Sequence, residues 1–240
     1  MTIIIDGITA GHGRRQILHG IDWTVRPGVT GLLGPNGSGK TTLLSILART
    51  LRPTEGSVTV LDAEARFGFL PQRFSIPGGM RLVDAISYTA WLNGVARDQR
   101  DSAARQALAA VDLSNEANAR VKTLSGGQRQ RAGIAAGIAH EPDVLFLDEP
   151  TAGLDAKQTR RVRDLITQIG RTRTVVLSTH LLGDVSSVCK HVGVLAHGRL
   201  VFDGTLAELQ AAGEDHPPQA LRSPVEAGYE RLLATSGGTW

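Results

Sequence analysis

The stretch Val29-Thr30-Gly31-Leu32-Leu33-Gly34-Pro35-Asn36-Gly37-Ser38-Gly39-Lys40-Thr41-Thr42 decides the fold. A short apolar run reads as a buried strand, a glycine-rich turn follows, and Leu43-Leu44-Ser45-Ile46-Leu47 continues as a helical pattern. The turn has the G-x-x-x-x-G-K-[ST] spacing in the strand-loop-helix context that this spacing requires. Gly34, Gly37 and Gly39 let backbone N–H groups turn inward around phosphate oxygens, with Pro35, Asn36 and Ser38 completing the loop. The helix N-terminus adds the positive end of its dipole. Lys40 then meets the terminal phosphates as a point charge, and the Thr41 hydroxyl, with Thr42 behind it, faces a Mg²⁺ ion.

Working outward, apolar runs alternate with helical patterns, which makes the chain α/β. Strands are expected at 2–5, 21–25, 29–33, 57–61, 65–70, 144–147, 174–178, 192–195 and 200–203. Helices are expected at 40–50, 82–93, 98–111, 126–140, 156–170, 181–189, 206–212 and 225–234. Between Phe74 and Val121 there are two helical patterns and no convincing strand, which reads as a helical subdomain set into an α/β core. Gly213 to Pro224 collects Gly, Pro, Ser and charge like a surface linker, and Thr235 to Trp240 reads as a frayed tail.

Two further constellations carry chemistry. Val144-Leu145-Phe146-Leu147-Asp148-Glu149-Pro150 is a buried-strand run ending in adjacent carboxylates. If the extended geometry persists, the two side chains leave in opposite directions and do different jobs. Asp148 is the candidate to hold Mg²⁺, and Glu149 the candidate to polarise an attacking water. Leu124-Ser125-Gly126-Gly127-Gln128 precedes a helical pattern, so Ser125 can be an N-cap. A serine plus bare backbone N–H groups at a helix start is also a second anion site. A helical insert would keep it from the first site within one chain, a separation that a dimer would resolve.

The order of the phosphate loop, Gln72, Leu124 to Gln128, Asp148-Glu149, Gly153-Leu154-Asp155 and His180 resembles the ATP-binding subunit of ABC transporters, over about Ile3 to Leu209. The resemblance implies a P-loop ATPase core with a mainly parallel sheet, antiparallel N-terminal strands and an inserted helical subdomain at about 74–139. Residues 1–212 would form the ATPase domain, and 213–240 a linker, a short helix and a tail. It implies ATP and Mg²⁺ as cofactors, with Gln72 sensing Mg²⁺ and the γ phosphate, and His180 contacting the γ phosphate and supporting the attacking water. Asp155 would lie at the dimer interface, and Ser125, Gly126, Gly127 and Gln128 would close on the nucleotide of a second copy. The family's adenine-stacking aromatic aligns with His12, a smaller stacking surface, and the proline usual after Asp155 is Ala156.

The stretches Leu33 to Gly37 and Gly198 to Thr205 look most like bacterial multidrug and antibiotic exporter ATPases. That likeness implies a cytoplasmic protein, peripheral on the inner membrane, bound to a separate permease near Arg73 to Ile86 and exporting an apolar or amphipathic compound, with an importer ATPase as the alternative.

Composition removes other classes. The 240 residues carry 26 basic and 23 acidic side chains, a net charge of +3, with 41% hydrophobic and 20% charged residues, which is globular rather than disordered. The basic surplus is dispersed, so no nucleic acid is expected as partner. A lone cysteine, Cys189, permits no intrachain disulfide and reads as a small core hydrophobe. The N-terminus lacks a secretory pattern, and no run approaches the roughly 18 apolar residues needed to span a bilayer. A soluble ABC ATPase of DNA or the ribosome would usually show a long coiled-coil insertion or two cassettes. A P-loop GTPase would show an Asn-Lys-x-Asp motif, which is missing, and a non-catalytic module would lack Glu149 or His180.

Overall fold

A computed structural model describes residues 1–13, 15–60, 64–213 and 223–235, apart from the side chain of His12. The linker and tail expectations at 213–224 and 235–240 therefore lie largely outside the described residues.

Two sheets form the scaffold. β1 (Ile3–His12), β2 (Arg15–Val25) and β4 (Glu55–Val60) make an antiparallel sheet in the order β2-β1-β4. The larger sheet uses β3 (Val29–Leu33), β5 (Phe67–Leu70), β6 (Val144–Asp148), β7 (Thr174–Thr179), β8 (His191–Ala196) and β9 (Arg199–Thr205). Its order is β5-β6-β7-β3-β8-β9, parallel throughout except for the β8–β9 hairpin. β3, β6 and β7 are buried along their whole length, as central strands covered on both faces must be.

Alternation along these strands divides the core. Val144, Phe146, Val176 and Leu32 face the antiparallel sheet and α1 (Lys40–Leu47), beside Ile5, Ile8, Leu18, Leu43 and Leu44. Leu145, Leu147, Val175 and Leu177 face the opposite layer. That layer includes α4 (Gly126–Ile138), α5 (Ala156–Ile169) and α6 (Leu182–Val188). Cys189 is buried in this core as expected, and burial pushes its thiol pKa well up.

Between β5 and β6 every regular element is helical: α2 (Leu82–Leu92), α3 (Arg100–Ala110), two short 3-10 turns at Ser114–Glu116 and Val121–Thr123, and α4. The buried Arg131 of α4 donates to Val111 O at 2.7 Å and Asp112 O at 3.0 Å, tying α4 to the C-terminal end of α3. α7 (Leu206–Ala211) and α8 (Pro224–Thr235) pack together beyond β9.

The structure corrects several boundaries. β1 runs on past Ile5 and β2 begins well before Ile21, because Gly7 at φ 59° and Gly20 at φ 65° absorb irregularities that break the alternation without ending the pairing. α1 stops at Leu47, not Thr50, where Arg49 enters the left-handed region at φ 59°. Phe74, within the stretch where a permease is expected to bind, is half-buried against the core beside Gly133 and Leu70.

Candidate active site

β3, β5, β6 and β7 run in one direction, so their C-terminal ends share one sheet edge, where ligands of open α/β sheets bind. From that edge rise the glycine-rich loop after β3, Gln72 after β5, Asp148 and Glu149 at the end of β6, and His180 after β7.

The loop enters α1 through Gly39 at φ 108°, a conformation that L side chains rarely adopt. A Cβ on Gly39 would also stand 2.7 Å from Leu18 Cδ2. Lys40 is buried, and its Nζ donates to Gly34 O at 2.7 Å and Pro35 O at 3.1 Å while standing 3.5 Å from Glu149 Oε1. Burial pushes the Lys40 pKa below its ordinary value, and the Glu149 charge pulls it partly back.

The two carboxylates separate in a way the sequence did not anticipate. β6 ends at Asp148, and Glu149 turns out of the strand at φ 50°. The extended geometry therefore does not persist through the pair, and a bend rather than strand alternation divides their roles. Asp148 is fully buried: Thr41 Oγ1 donates to its Oδ2 at 2.7 Å, and Ser178 Oγ donates to its Oδ1. Ser178 also fixes the bend, since the Glu149 N–H lies 3.0 Å from Ser178 Oγ and 3.1 Å from Ser178 O. His180 Nδ1 sits 3.0 Å from both oxygens of Glu149. Glu149 is thus enclosed between Lys40 and His180, its side chain 5% exposed, whereas His180 is 42% exposed and open to a ligand.

Asn36, Gly37, Gly39, Lys40, Thr41 and Thr42 line a cleft of about 610 Å³ together with Gln72 and Glu149. Arg15 and Ile17 of β2 line it too, a contribution that nothing in their local pattern announces. The side chain of His12 lies outside the described residues. Among the described residues no cluster of His, Cys, Asp and Glu forms a ready metal cage, and no helix is long and apolar enough to cross a membrane.

Ser125 to Gln128 and Asp155 do not line this cleft. They begin two helices that meet each other. Ser125 Oγ accepts the Gln128 N–H at 3.2 Å and Gln128 Oε1 accepts the Ser125 N–H at 2.8 Å, a complete capping box. Asp155 caps α5 by accepting the Gln158 N–H at 2.8 Å. The Gln158 side chain occupies the place where a Cβ on Gly127 would stand, so the bare glycine lets that side chain lie against the start of α4.

A profile of the family described as ABC transporter matches residues 18–152. The chain belongs to the ABC transporter family. It is 33% identical to the daunorubicin resistance ATP-binding protein DrrA3 of Streptomyces coeruleorubidus, over 99% of this chain and 79% of that protein. It is 27% identical to the linearmycin resistance ATP-binding protein LnrL of Bacillus subtilis, over 85% of this chain and 69% of that one. It is 32% identical to the methionine import ATP-binding protein MetN of Bordetella pertussis, over 90% of this chain and 64% of MetN. In fold it matches the ATP-binding cassette MJ0796, solved as a dimer in a post-hydrolysis state bound to ADP and Pi. The TM-score is 0.74 at 24% identity, covering 85% of this chain and 98% of that one. As an ABC transporter component it is the ATP-binding ATPase subunit, with the α/β cassette fold.

Proposed function

We propose that the chain hydrolyses MgATP in a sandwich of two copies and so powers a separate membrane permease. The observation that carries this reading is the enclosure of Glu149 by Lys40 and His180 at the mouth of the phosphate-loop cleft. Glu149 would accept a proton from the attacking water, and His180 would hold that water and the γ phosphate. Lys40 would exchange its bonds to Gly34 O and Pro35 O for phosphate oxygens.

The donor set fits a hard cation, since the Thr41 hydroxyl and the Asp148 carboxylate converge at 2.7 Å and Gln72 lines the same cleft with an amide oxygen. Mg²⁺ bound there would neutralise developing charge on the phosphates. Ser125, Gly126, Gly127 and Gln128, which stand outside the cleft of their own chain, would complete the site of the second copy, and Asp155 would lie beside them. The test is turnover of purified protein with MgATP, with ATP-dependent dimer formation read by light scattering. Protein that binds ATP yet neither pairs nor hydrolyses it would sink the reading.

Docking of the permease would use the groove of about 280 Å³ between Phe74, Ser75 and Ile76 on one side and Gly126, Arg129 and Gln130 on the other. The chain would then lie on the cytoplasmic face of the inner membrane. The direction we propose is export of an apolar or amphipathic compound. It is supported by the resistance proteins DrrA3 and LnrL among its relatives, while MetN, an import protein of similar identity, represents the opposite direction. Arg73→Glu combined with Phe74→Ala should lower permease co-purification while soluble turnover persists. Uptake rather than efflux of the cargo in vesicles would reverse the assigned direction.

A further inference from the structure

Asp184 is a carboxylate buried to 1% exposure that does not line the cleft and whose hydrogen bonds and ion pair go to residues outside the lining. Burying such a charge is costly unless it is fully bonded, and its bonds are specific. Thr151 Oγ1 and Thr179 Oγ1 both donate to Oδ2, the latter at 3.1 Å. Arg163 of α5 donates to Oδ1 from Nε at 2.8 Å, and its Nη2 forms an ion pair with the same oxygen at 2.6 Å. Thr179 Oγ1 in turn accepts the Leu181 N–H at 3.0 Å, which fixes the backbone on the far side of His180.

These partners bracket the reacting groups. Thr151 lies two residues after Glu149, Thr179 immediately before His180, and Arg163 on the helix that Asp155 caps. One carboxylate therefore joins the turn carrying the general base, the turn carrying the histidine, and the helix whose start packs on Gly127. We propose that Asp184 is a positioning residue: through Thr151 and Thr179 it holds Glu149 and His180 in register, and through Arg163 it ties that register to the helix that begins at Asp155. A simple buried ion pair between α5 and α6 would need only Arg163. The two threonine hydroxyls, one on each catalytic turn, are what an ion pair alone leaves unexplained.

The inference rests on the proposed roles of Glu149 and His180, so Glu149→Gln and His180→Ala are assayed beside it. Asp184→Asn keeps the shape but takes the charge from Arg163 and one acceptor from the network. The expected result is a kcat at least about tenfold lower with KM for ATP within about twofold, because the phosphate loop is untouched. Thr151→Val and Thr179→Val should each lower kcat severalfold, while Thr151→Ser and Thr179→Ser, which retain the hydroxyl, should restore it. These four variants decide the matter even if Asp184→Asn fails to fold. Wild-type kcat in both valine variants, or valine and serine variants equally impaired, would overturn the proposal. If Glu149→Gln and His180→Ala are inactive while Asp184→Asn turns over normally, the positioning role alone fails. If Glu149→Gln and His180→Ala remain active, the catalytic reading and the positioning role fall together.

Discussion

The phosphate-loop cleft and the start of α4 are both anion sites by composition, yet they are held together in opposite ways. In the cleft, the groups around the two carboxylates bond across long sequence separations: Thr41 to Asp148, Ser178 to Asp148 and to Glu149, and His180 to Glu149, while Lys40 bonds locally to Gly34 and Pro35. At the start of α4 the capping bonds are local, Ser125 to Gln128 and back. The carboxylate side of the cleft is therefore assembled by the sheet, the kind of preorganisation that electrostatic catalysis needs. The capping box of the α4 start is made by its own sequence, while Gln128 Nε2, donating to Glu116 Oε1 at 2.9 Å, and Gln158 beside Gly127 seat it against its neighbours. On the proposed reading, that difference separates the half that would hold the chain's own nucleotide from the half that would face a second copy.

The sharpest way to break this contrast is Glu149→Gln, which keeps shape but removes the carboxylate proposed as the base. Hydrolysis should fall by about 10² to 10⁴, roughly 3–5 kcal/mol in the barrier, while ATP still binds and an ATP-dependent dimer accumulates. Phosphate-release kinetics and gel filtration with ATP read both outcomes, and near-wild-type turnover would remove Glu149 from its role. Lys40→Ala should act on both steps, because it strips the charge that meets the phosphates. Nucleotide affinity should weaken roughly tenfold to a hundredfold by calorimetric titration, and turnover should fall with it.

The other two substitutions probe the local half. Gly127→Ala places a methyl where Gln158 packs, displacing either that side chain or the helix start. Turnover is expected to fall about tenfold or more, while ATP affinity of the single chain stays within about twofold, since a small misplacement of a positioning group is costly only where reaction occurs. An equal loss of affinity would place Gly127 in the chain's own nucleotide site. Ser125→Ala removes half of a capping box and should cost about 1 kcal/mol of stability, a shift of roughly 2–4 °C in the melting of nucleotide-free protein.

The same contrast explains how much could be read from the sequence. The phosphate loop, the capping serine and the strand before Asp148 are local patterns, and each stands where the residues put it. The bend at Glu149 was not legible, because a φ of 50° at a glutamate is imposed by Ser178 from the neighbouring strand, not by its own neighbours in sequence. Arg15 and Ile17 were equally silent, since only the folding of the antiparallel sheet over the loop brings them to the cleft. Asp184 had no local signal either; its importance comes from three partners on three segments. The early end expected for β1 and the late start expected for β2 follow the breaks in alternation at Gly7 and Gly20, which the sheet tolerates as irregularities in pairing.

The central claim, that a complete site combines the cleft of one copy with the α4 start of the other, is tested most directly by mixing two inactive variants. Lys40→Ala disables the cleft and leaves the α4 start; Ser125→Arg disables the α4 start and leaves the cleft. With random pairing in a two-fold dimer, half the dimers are mixed and each mixed dimer holds one intact composite site, so about a quarter of wild-type turnover should return. Turnover of the mixture no greater than the mean of the two variants measured separately would contradict the composite site.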